Sequence, residues 1–583
     1  MRLHALYALG IIGLIDTVFA NPQSPSREST TCDKLASTLE GRVYTPDTTQ
    51  YTESTDSYFA LQEANLRPSC IVQPTTAEEV SKAIVVLADA YRDSGEQFAI
   101  RSKGHNVNKG IANIQSGVTV DLRRLNSIRI SDDKSTVDIQ PGPSWTDVYK
   151  VLDPFNVTVP GGRAGSVGVG GFLLGGGLSI LGPEIGWACD HVLEYEVVLA
   201  NGEIVIVNEN THADLFTALK GGGNNFGVVT RFTLKTYPHS GILGGMVIYP
   251  GDQSSQDIQT YSDIMDSENF DVLADPIAGY GWNASSREQG LLGINIALYS
   301  KPAPNPPVYR SFVGDVKPLM DSVRVTKLSE FHDLEQPFGA YNIWRTTSFT
   351  HDPRIYPQIL KAFNDSIQSV SNDTNVFWAY TVQPSPSLEH SNRNSLGLDP
   401  EEERFNILNT APSYSDPTDG ARVQEATQKF VDAVEEITKQ AGLYRPFKYA
   451  NYAGLDQDVL GGCGEAVKER LMAVSRRYDP DGVFQEGVPG GFKLLELVDQ
   501  ILTFAFGTAP NIEKAFFNNL DIKQLRRLLS MNRKWHQTLL PQVYSHWTYI
   551  GARHSFNSLW KAVKTMTTNR DIAAMVETLN IGH

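Results

Sequence analysis

The chain has 583 residues, enough for two or three domains with a large buried core. Hydrophobic residues make up 41% and charged residues 20%, as in ordinary soluble globular proteins. Acidic residues outnumber basic ones, 66 against 50, and the formal charge is −16. This balance argues against nucleic acid as a partner, because its phosphates need a basic face, and against an anionic membrane surface.

The amino terminus resembles an export signal. Met1 and Arg2 give a weakly basic start, an apolar stretch follows, and Ala20 offers a small residue for cleavage. The alternative is a membrane anchor, but Asp16 interrupts the apolar run and the run is short for a span of about 20 residues. We therefore predict a signal peptide over residues 1–20 and a secreted protein, with no later membrane span.

Sequons and cysteines agree with export. Four N-glycosylation sequons begin at Asn156, Asn283, Asn364 and Asn372. Cys32 and Cys70 flank an early segment and form the candidate disulfide, whereas Cys189 and Cys463 lie in apolar contexts typical of buried thiols.

The first elements in chain order predict a mixed α+β domain. Residues 21–70 look like an irregular lead-in, and residues 74–95 then read as a helix with a capping box at its start. A hairpin is predicted over 194–207, where Asn201-Gly202 favours a tight type I′ turn. Further strands are predicted at 98–100, 117–122, 136–142 and 226–238.

The texture of the sequence changes near residue 238. Prolines cluster at 301–309 and polar loops separate short strands, which suggests a second domain inserted into the first. The earlier style returns over 446–494. Beyond it, 495–583 contains a helical pattern and is predicted to be an accessory extension without a catalytic role; it could dock on the body, recruit a partner or be an error of gene prediction.

Three loops are rich in glycine, at 101–110, 159–179 and 218–230. Glycine costs backbone entropy, and backbone amides without nearby β-carbons can donate to phosphate oxygens. A flexible linker is the alternative, but Val167 and Phe172 are interleaved with the glycines and indicate order. A GxGxxG-like match from Gly168 lacks the flanking context of a dinucleotide fold. The loops together predict one large phosphate-bearing cofactor.

The segments RSKGH, VGVGGFLLGGG, ALKGGGNNFGVVTRFTL and RRYDPDGVFQ occur in that order. Together they resemble the berberine-bridge-enzyme-like FAD-linked oxidases, fungal secreted members above all, over roughly residues 60–494. The resemblance implies an α+β fold of vanillyl-alcohol-oxidase or PCMH type. Its FAD-binding domain would take 21–237 and 446–494, and its inserted α+β substrate domain, built on an antiparallel sheet, would take 238–445.

The same resemblance implies that His105 is bonded covalently to the flavin. A histidine in a glycine-bearing turn after a buried strand has this role in the family. The turn around it, with Arg101, Ser102, Lys103, Gly104 and Asn106, would hold the pyrophosphate; Lys103 is a departure from the usual glycine. A histidine that only hydrogen-bonds within the turn is the alternative. Further cofactor contacts are expected from Ser166, Val167, Gly168, Gly171 and Val228.

Two positions refine the expected chemistry. Many relatives attach the flavin a second time through a cysteine, and Ala164 stands at that place, so we expect a single link. Its absence favours a small, hydrophobic natural product over a bulky oligosaccharide. Val167 matches a position that tends to be valine in oxygen-reactive members, and the expected acceptor is molecular oxygen, with hydrogen peroxide as product. A β-branched residue that merely fills a strand is the alternative.

Catalytic residues are suggested by the segment KYANYAG. By resemblance Asn451 would contact the flavin ring and Tyr449 would face the substrate, as a base or as an orienting hydroxyl. A tyrosine base needs a lowered pKa at neutral pH, and two buried aromatic residues, Tyr449 and Tyr452, are the alternative. Ile185 replaces a tyrosine of phenolic-alcohol-oxidising relatives. No histidine spacing predicts a metal site, and no elbow motif predicts a serine hydrolase.

The sequence therefore predicts a secreted, glycosylated oxidase with FAD tethered at His105. Its substrate would be an alcohol, amine or activated C–H compound of low molecular weight. A carbohydrate oxidase on the same fold and a non-catalytic flavin-binding protein are the alternatives.

Overall fold

The computed structural model describes residues 30–494, apart from 252–253, 267–269, 311, 313–316, 371–374 and 390. The predicted signal peptide and the predicted extension at 495–583 lie outside the described residues, as does the sequon at Asn372. Of the other sequons, Asn156 and Asn364 are exposed and Asn283 is half-buried.

Helices and strands alternate over residues 30–238. They are α1 (Thr30–Thr38), β1 (Val43–Tyr44), α2 (Thr49–Thr55), α3 (Leu61–Ala64), β2 (Cys70–Val72), α4 (Ala77–Ser94), β3 (Phe98–Arg101), β4 (Val118–Asp121), β5 (Ile128–Ile130), β6 (Thr136–Ile139), α5 (Trp145–Leu152), β7 (Val157–Thr158), α6 (Val169–Leu174), α7 (Gly182–Ile185), β8 (Val192–Val198), β9 (Ile204–Asn208), α8 (Ala213–Leu219), β10 (Val228–Lys235) and β11 (Tyr237–Pro238). One sheet has the order β1-β2-β4-β3, with β4 parallel to β2 and β3. A second, antiparallel sheet has the order β5-β6-β10-β8-β9, and β11 pairs with β7.

A large antiparallel sheet is built from residues 242–445. Its elements are β12 (Ile242–Pro250), α9 (Ser254–Met265), β13 (Ile277–Asn283), β14 (Leu291–Tyr299), β15 (Met320–Asp321), β16 (Arg324–Thr326), β17 (Tyr341–Asn342), β18 (Arg345–Thr350), α10 (Tyr356–Gln368), β19 (Val376–Pro384), β20 (Phe405–Thr410), β21 (Ser413–Tyr414), α11 (Gly420–Gln440) and β22 (Tyr444–Arg445). Its main path runs β15-β12-β14-β13-β19-β20-β18-β22.

Helices α10 and α11 cover one face of this sheet. Phe363 of α10 and Phe430 of α11 pack against Trp378 and Tyr380 of β19. Successive residues of a strand point to opposite faces. Phe377, Ala379 and Thr381, which alternate with these two residues on β19, therefore face the other way, towards the first part of the molecule. The structure thus contains the antiparallel sheet that the predicted fold assigns to the second part of the chain.

The chain then returns to the first part through α12 (Val459–Gly462) and α13 (Glu465–Tyr478). Val483 and Phe484 join the core formed by α4 and the first sheet. The side-chain amide of Asn225 donates to the carbonyl oxygen of Phe492 at 2.9 Å, and this bond fastens the returning segment beside the third glycine loop.

Local signals account for several of these elements. Helix α4 begins where the hydroxyl of Thr76 accepts a hydrogen bond from the amide of Glu79, and it ends at Gly95, whose φ is +75°. The predicted hairpin is formed by β8 and β9, but the prediction of a type I′ turn is wrong, because Asn201 does not have the positive φ that this turn requires. Its turn is closed by a bond from the Gly202 amide to the Leu199 carbonyl, and within the turn only Gly202 has a positive φ, +84°.

Residues 30–70 are more regular than the predicted irregular lead-in. Helix α1 buries Cys32 and Leu35, and Leu39 follows at helical spacing, in the core that the helix shares with α4. The predicted disulfide is confirmed: Cys32 and Cys70 are bonded, with 6.1 Å between their Cα atoms. Cys189 and Cys463 are buried free thiols, as expected.

One apolar core crosses the boundary between the two parts. Val137 and Ile139 of the five-stranded sheet share a cluster with Ile277, Ile294 and Ile296 of the large sheet. A second cluster lies within the large sheet and its two covering helices. Within the described ranges, no helix is both long enough and apolar enough to span a bilayer.

Candidate active site

A cavity of about 600 Å3 lies between the glycine loops and the inner face of the large sheet. Most of the residues expected to bind a cofactor line it: Ser102, Lys103, Gly104, His105, Asn106, Val167, Gly168, Gly171, Val228 and Asn451. Arg101 and Ser166 are the two that do not. A cavity of this size is typical of small-molecule and cofactor sites.

Arg101 supports the histidine turn from behind. Its guanidinium is fully buried, stacks on the ring of Tyr58 at 3.6 Å, and donates to the carbonyl oxygens of Ser54 (2.6 Å) and Lys103 (3.1 Å). The predicted contact of Arg101 with a pyrophosphate is therefore replaced by a structural role. Gly104 allows this close packing, since its φ is +78° and an added Cβ would lie 2.7 Å from the Tyr58 ring.

His105 lines the cavity, and one nitrogen of its ring has no hydrogen-bond partner among the described residues. Its ring stacks on Phe59, with 4.2 Å between centroids, and Trp344 lies tilted against it. Nε2 is buried and has no hydrogen-bond partner among the described residues. Burial lowers the pKa of His105 to about 4, so the imidazole is neutral at ordinary pH. A neutral imidazole with a ring nitrogen that makes no hydrogen bond is a suitable nucleophile.

The second glycine loop packs directly on the histidine turn. A Cβ at Gly168 would lie 2.5 Å from Cβ of Lys103 and 2.7 Å from the Ser102 hydroxyl oxygen, so only glycine fits there. Gly171 has no atom within 4 Å of an added Cβ, which indicates open space on the cavity side. Ser166 points elsewhere, since its amide (2.8 Å) and its hydroxyl both donate to Glu335.

The third loop completes the cradle. Gly221 and Gly223 line the cavity with φ values of +98° and +72°, a conformation that side-chain-bearing residues rarely adopt. Three loops with glycines at the cavity wall therefore meet around one cavity, and His105 lies in that wall. This donor set and shape fit the FAD that the resemblance implies, with the pyrophosphate held by backbone amides.

Tyr449 and Asn451 form the end of the cavity next to α6. The Tyr449 hydroxyl oxygen accepts hydrogen bonds from the amide of Leu178 (3.1 Å) and from Nδ2 of Asn451 (3.0 Å). Burial raises the pKa of Tyr449. The lowered pKa that a base would need is thus not found, and the hydroxyl is placed as an orienting group.

A polar corner of the cavity was not foreseen from the sequence. We give this name to Arg163, Asp275, Gln383 and Tyr452. Arg163 donates from Nη1 to Asp275 at 3.0 Å, and from Nη2 to Oε1 of Gln383 at 2.6 Å and to the Tyr452 hydroxyl at 3.0 Å. A charged residue within a glycine loop was the available signal, but its partners lie far along the chain.

The inner face of the large sheet forms the wall of the cavity opposite the glycine loops. Met246 pairs across strands with Ile296, which pairs in turn with Ile277, and Ile248 pairs with Ile294. These side chains line the cavity and make this wall apolar. Phe377, Trp344 and Val167 extend the apolar lining.

Known proteins agree with this geometry. A family model described as an FAD binding domain matches residues 68–208. The FAD-dependent monooxygenase sdcF of Emericella nidulans is 36% identical over 481 residues, which cover 79% of this chain and 98% of that protein. The FAD-dependent monooxygenase CTB5 of Cercospora beticola is 32% identical over 80% of this chain and 92% of its own length. The chain belongs to this family of FAD-dependent oxidoreductases.

Solved structures show the same fold in more distant proteins. Physcomitrella patens BBE-like 1 superposes with a TM-score of 0.65 at 18% identity, covering 80% of this chain and all of that one. The glucooligosaccharide oxidase of Acremonium strictum, described with a 6-S-cysteinyl, 8α-N1-histidyl FAD, has a TM-score of 0.62 at 20% identity, covering 80% of this chain and 99% of that one. The predicted fold, the enzyme class and FAD as cofactor of this family are confirmed.

Proposed function

We propose that this FAD-dependent oxidoreductase is a secreted oxidase that carries FAD through one covalent bond at His105. It would oxidise an alcohol, amine or activated C–H group of a small, mainly apolar organic molecule. The observation that carries the proposal is His105 itself, a neutral imidazole with an unpartnered, buried Nε2 at the wall of a cavity surrounded by three glycine loops.

The residues of the chain would divide the work. His105 holds the cofactor, and Ala164, which lines the cavity where a cysteine would be needed, leaves that bond single. Bound FAD supplies the two-electron acceptor for the substrate C–H bond. Asn451 and Tyr449 would orient polar groups of the bound molecules at the end of the cavity next to α6. The isoleucines of the large sheet would exclude water from the opposite wall.

Molecular oxygen is the acceptor that fits the proposal, with release of hydrogen peroxide. Val167 supports it, because this residue of the second glycine loop lines the cavity and matches a position that tends to be valine in oxygen-reactive members. Export is supported by the buried Cys32–Cys70 disulfide, since disulfides persist in oxidising compartments, and by two exposed sequons. No nicotinamide pool exists outside the cell to take the electrons instead.

A carbohydrate oxidase is less well supported by the cavity. A xylooligosaccharide oxidase from Myceliophthora thermophila C1 shares the fold, with a TM-score of 0.62 at 19% identity over 79% of this chain and 99% of that one. A sugar needs a polar partner for nearly every hydroxyl group. The wall here offers Met246, Ile248, Ile294 and Ile296 instead. Membership in an enzyme family argues against the non-catalytic alternative.

Monooxygenation is the second candidate, because the curated relatives carry that name. An oxidase converts one O2 into one hydrogen peroxide per substrate oxidised. A monooxygenase places one oxygen atom in the product and needs two further electrons to form water. The ratio of peroxide formed to oxygen consumed, measured with the first substrate found, separates the two.

The tether is tested on a denaturing gel. The purified wild-type protein should give a band with flavin fluorescence, and His105→Ala should give a dark band. His332→Ala, which removes an exposed histidine that does not line the cavity, is the matched control and should keep the fluorescence. A dark wild-type band from a yellow native protein would remove the covalent bond from the proposal, and a colourless native protein would remove the oxidase.

A further inference from the structure

The cavity is polarised across the strands of the large sheet. On β12, β14 and β13 its lining is apolar, in the cross-strand rows described above. On the neighbouring strands polar residues join the lining: Thr381 and Gln383 follow the apolar Phe377 and Ala379 along β19, and Asn409 of β20 pairs with Thr381. A ligand that fills the cavity therefore contacts apolar side chains on one side and hydrogen-bonding groups on the other.

Arg163 is aimed at the polar side by its own loop. An added Cβ at Gly161 or Gly162 would lie 2.3 to 2.6 Å from the Trp145 ring, so the backbone before Arg163 is pressed against that ring. The Arg163 side chain, 7% exposed, extends the other way into the polar corner. Burial acts to lower its pKa, but Tyr452 and Asp275 outweigh burial and the net shift is upward, so the guanidinium is charged.

The charge of Arg163 already has its counter-ion. The Asp275 carboxylate, 4% exposed, is its partner at 3.0 Å. Arg404 also acts on Asp275 electrostatically, but its guanidinium donates to the carbonyl oxygens of Ser385 and Pro183 and does not line the cavity. A ligand therefore meets Arg163, Gln383 and Tyr452 at the cavity wall, while Asp275 balances the charge of Arg163 from behind that wall.

Hydrogen-bonding capacity remains around this ion pair. The Tyr452 hydroxyl accepts from Arg163 and donates to no described residue. Asn409 and Trp344 line the cavity, and Oδ1 of Asn409 and Nε1 of Trp344 are buried without a partner among the described residues. Buried polar groups without partners cost free energy, and a ligand that supplies the missing partners recovers it.

We propose that the polar corner binds a neutral oxygen, a phenolic hydroxyl or a carbonyl, on an otherwise apolar carbon skeleton, and that Arg163 and Tyr452 determine this specificity. A carboxylate is disfavoured, because Asp275 already balances Arg163 and a second buried anion would lack a partner. The inference rests on the proposed function, in that it takes the cavity to receive an organic substrate.

Three probes with one carbon skeleton test it: naphthalene, 1-naphthol and 1-naphthoate. Each is titrated at neutral pH into the FAD-loaded protein, and binding is followed by tryptophan fluorescence and by the flavin absorption band. 1-Naphthol should bind about tenfold or more tightly than naphthalene, as expected for a hydrogen bond to a charged group. 1-Naphthoate should bind more weakly than 1-naphthol.

The informative variant removes both charges, as Arg163→Met together with Asp275→Asn, because Arg163→Met alone would strand a buried carboxylate. Its affinities for 1-naphthol and naphthalene should agree within about twofold, with naphthalene binding unchanged. Arg231→Met is the matched control: Arg231 pairs with Asp138 and Glu194 outside the cavity, and this variant should keep the wild-type preference.

Three results would overturn the proposal: no preference among the probes in the wild-type protein, tighter binding of 1-naphthoate than of 1-naphthol, or an unchanged preference in the double variant. Failure of the proposed function is distinguishable. It would show as absence of flavin or of substrate oxidation, while tryptophan fluorescence still ranks the three probes.

Discussion

At the scale of single residues, the chemistry depends on polar atoms that the fold buries without pairing them. His105 is the main example, because a histidine in water is partly protonated near neutral pH and this one is not. Its folded pKa is lowered, to about 4, so the neutral form persists down to acidic pH. Attachment of the cofactor should therefore tolerate acid.

The test is the rate of covalent flavin incorporation into the apoprotein at two pH values. With the pKa of His105 at about 4, the rates at pH 5.5 and pH 7.5 should agree within about twofold. A histidine of ordinary pKa, about 6.5, would lose about tenfold of its neutral form between them. A tenfold slower reaction at the lower pH would contradict the buried, neutral imidazole.

The Tyr449 hydroxyl also stabilises the fold, beside the orienting role proposed for it. Tyr449→Phe should lower the free energy of unfolding by about 1–3 kcal/mol, because the buried amide of Leu178 loses its acceptor. Tyr44→Phe, which alters an exposed hydroxyl, should change it by less than about 0.5 kcal/mol. Denaturant unfolding of both apoproteins measures the difference, and equal stabilities would show that the Leu178 amide finds another partner.

At the scale of elements, the contact between the histidine turn and the second glycine loop sets the geometry of the cradle. Two glycines of this loop make opposite predictions. Gly168→Ala forces a Cβ onto Lys103 and Ser102, so it should lower both the melting temperature of the apoprotein and its flavin content. Gly171→Ala meets no protein atom and should lower flavin content alone, because its Cβ enters the cavity.

Thermal unfolding of the two apoproteins, with flavin absorbance after reconstitution, separates these effects. Should Gly171→Ala keep full flavin content, the open space beside Gly171 is not part of the cofactor site.

The elements were also where the sequence was most informative. Helix α4, the β8–β9 hairpin and the glycine loops follow from local patterns of capping residues, alternation and turn residues. The polar corner could not be predicted, because Arg163 and Asp275 are 112 residues apart and only the tertiary fold joins them. The same holds for Ser166 and Glu335, 169 residues apart. The buried position of the Arg101 side chain behind the turn could not be predicted either, because sequence position does not reveal which way a side chain points.

At the scale of the whole molecule, the two parts share a core as well as a cavity. Ile277, Ile294 and Ile296 of the large sheet are buried with Val137 and Ile139 of the first part. Domains joined by a large apolar interface unfold together, whereas loosely joined domains unfold separately. We therefore expect one cooperative thermal transition of the apoprotein in calorimetry.

FAD loading should move that single transition upward without splitting it, since binding to the native state alone raises apparent stability. Two resolved transitions, with only one of them shifted by FAD, would show that the parts are independent.

The arrangement of the cavity also bears on how such enzymes can diversify. The loops that meet at His105 come from residues before 230, whereas the facing wall comes from β12, β14, β13, β19 and β20. The glycine loops are thus encoded in one stretch of the gene and the facing wall in another, while Arg163 belongs to the first stretch and Tyr452 to the returning segment. Substitutions at Met246 or Thr381 can change which substrate binds while the glycine loops and His105 stay unchanged. Related enzymes with different substrates can arise from such changes.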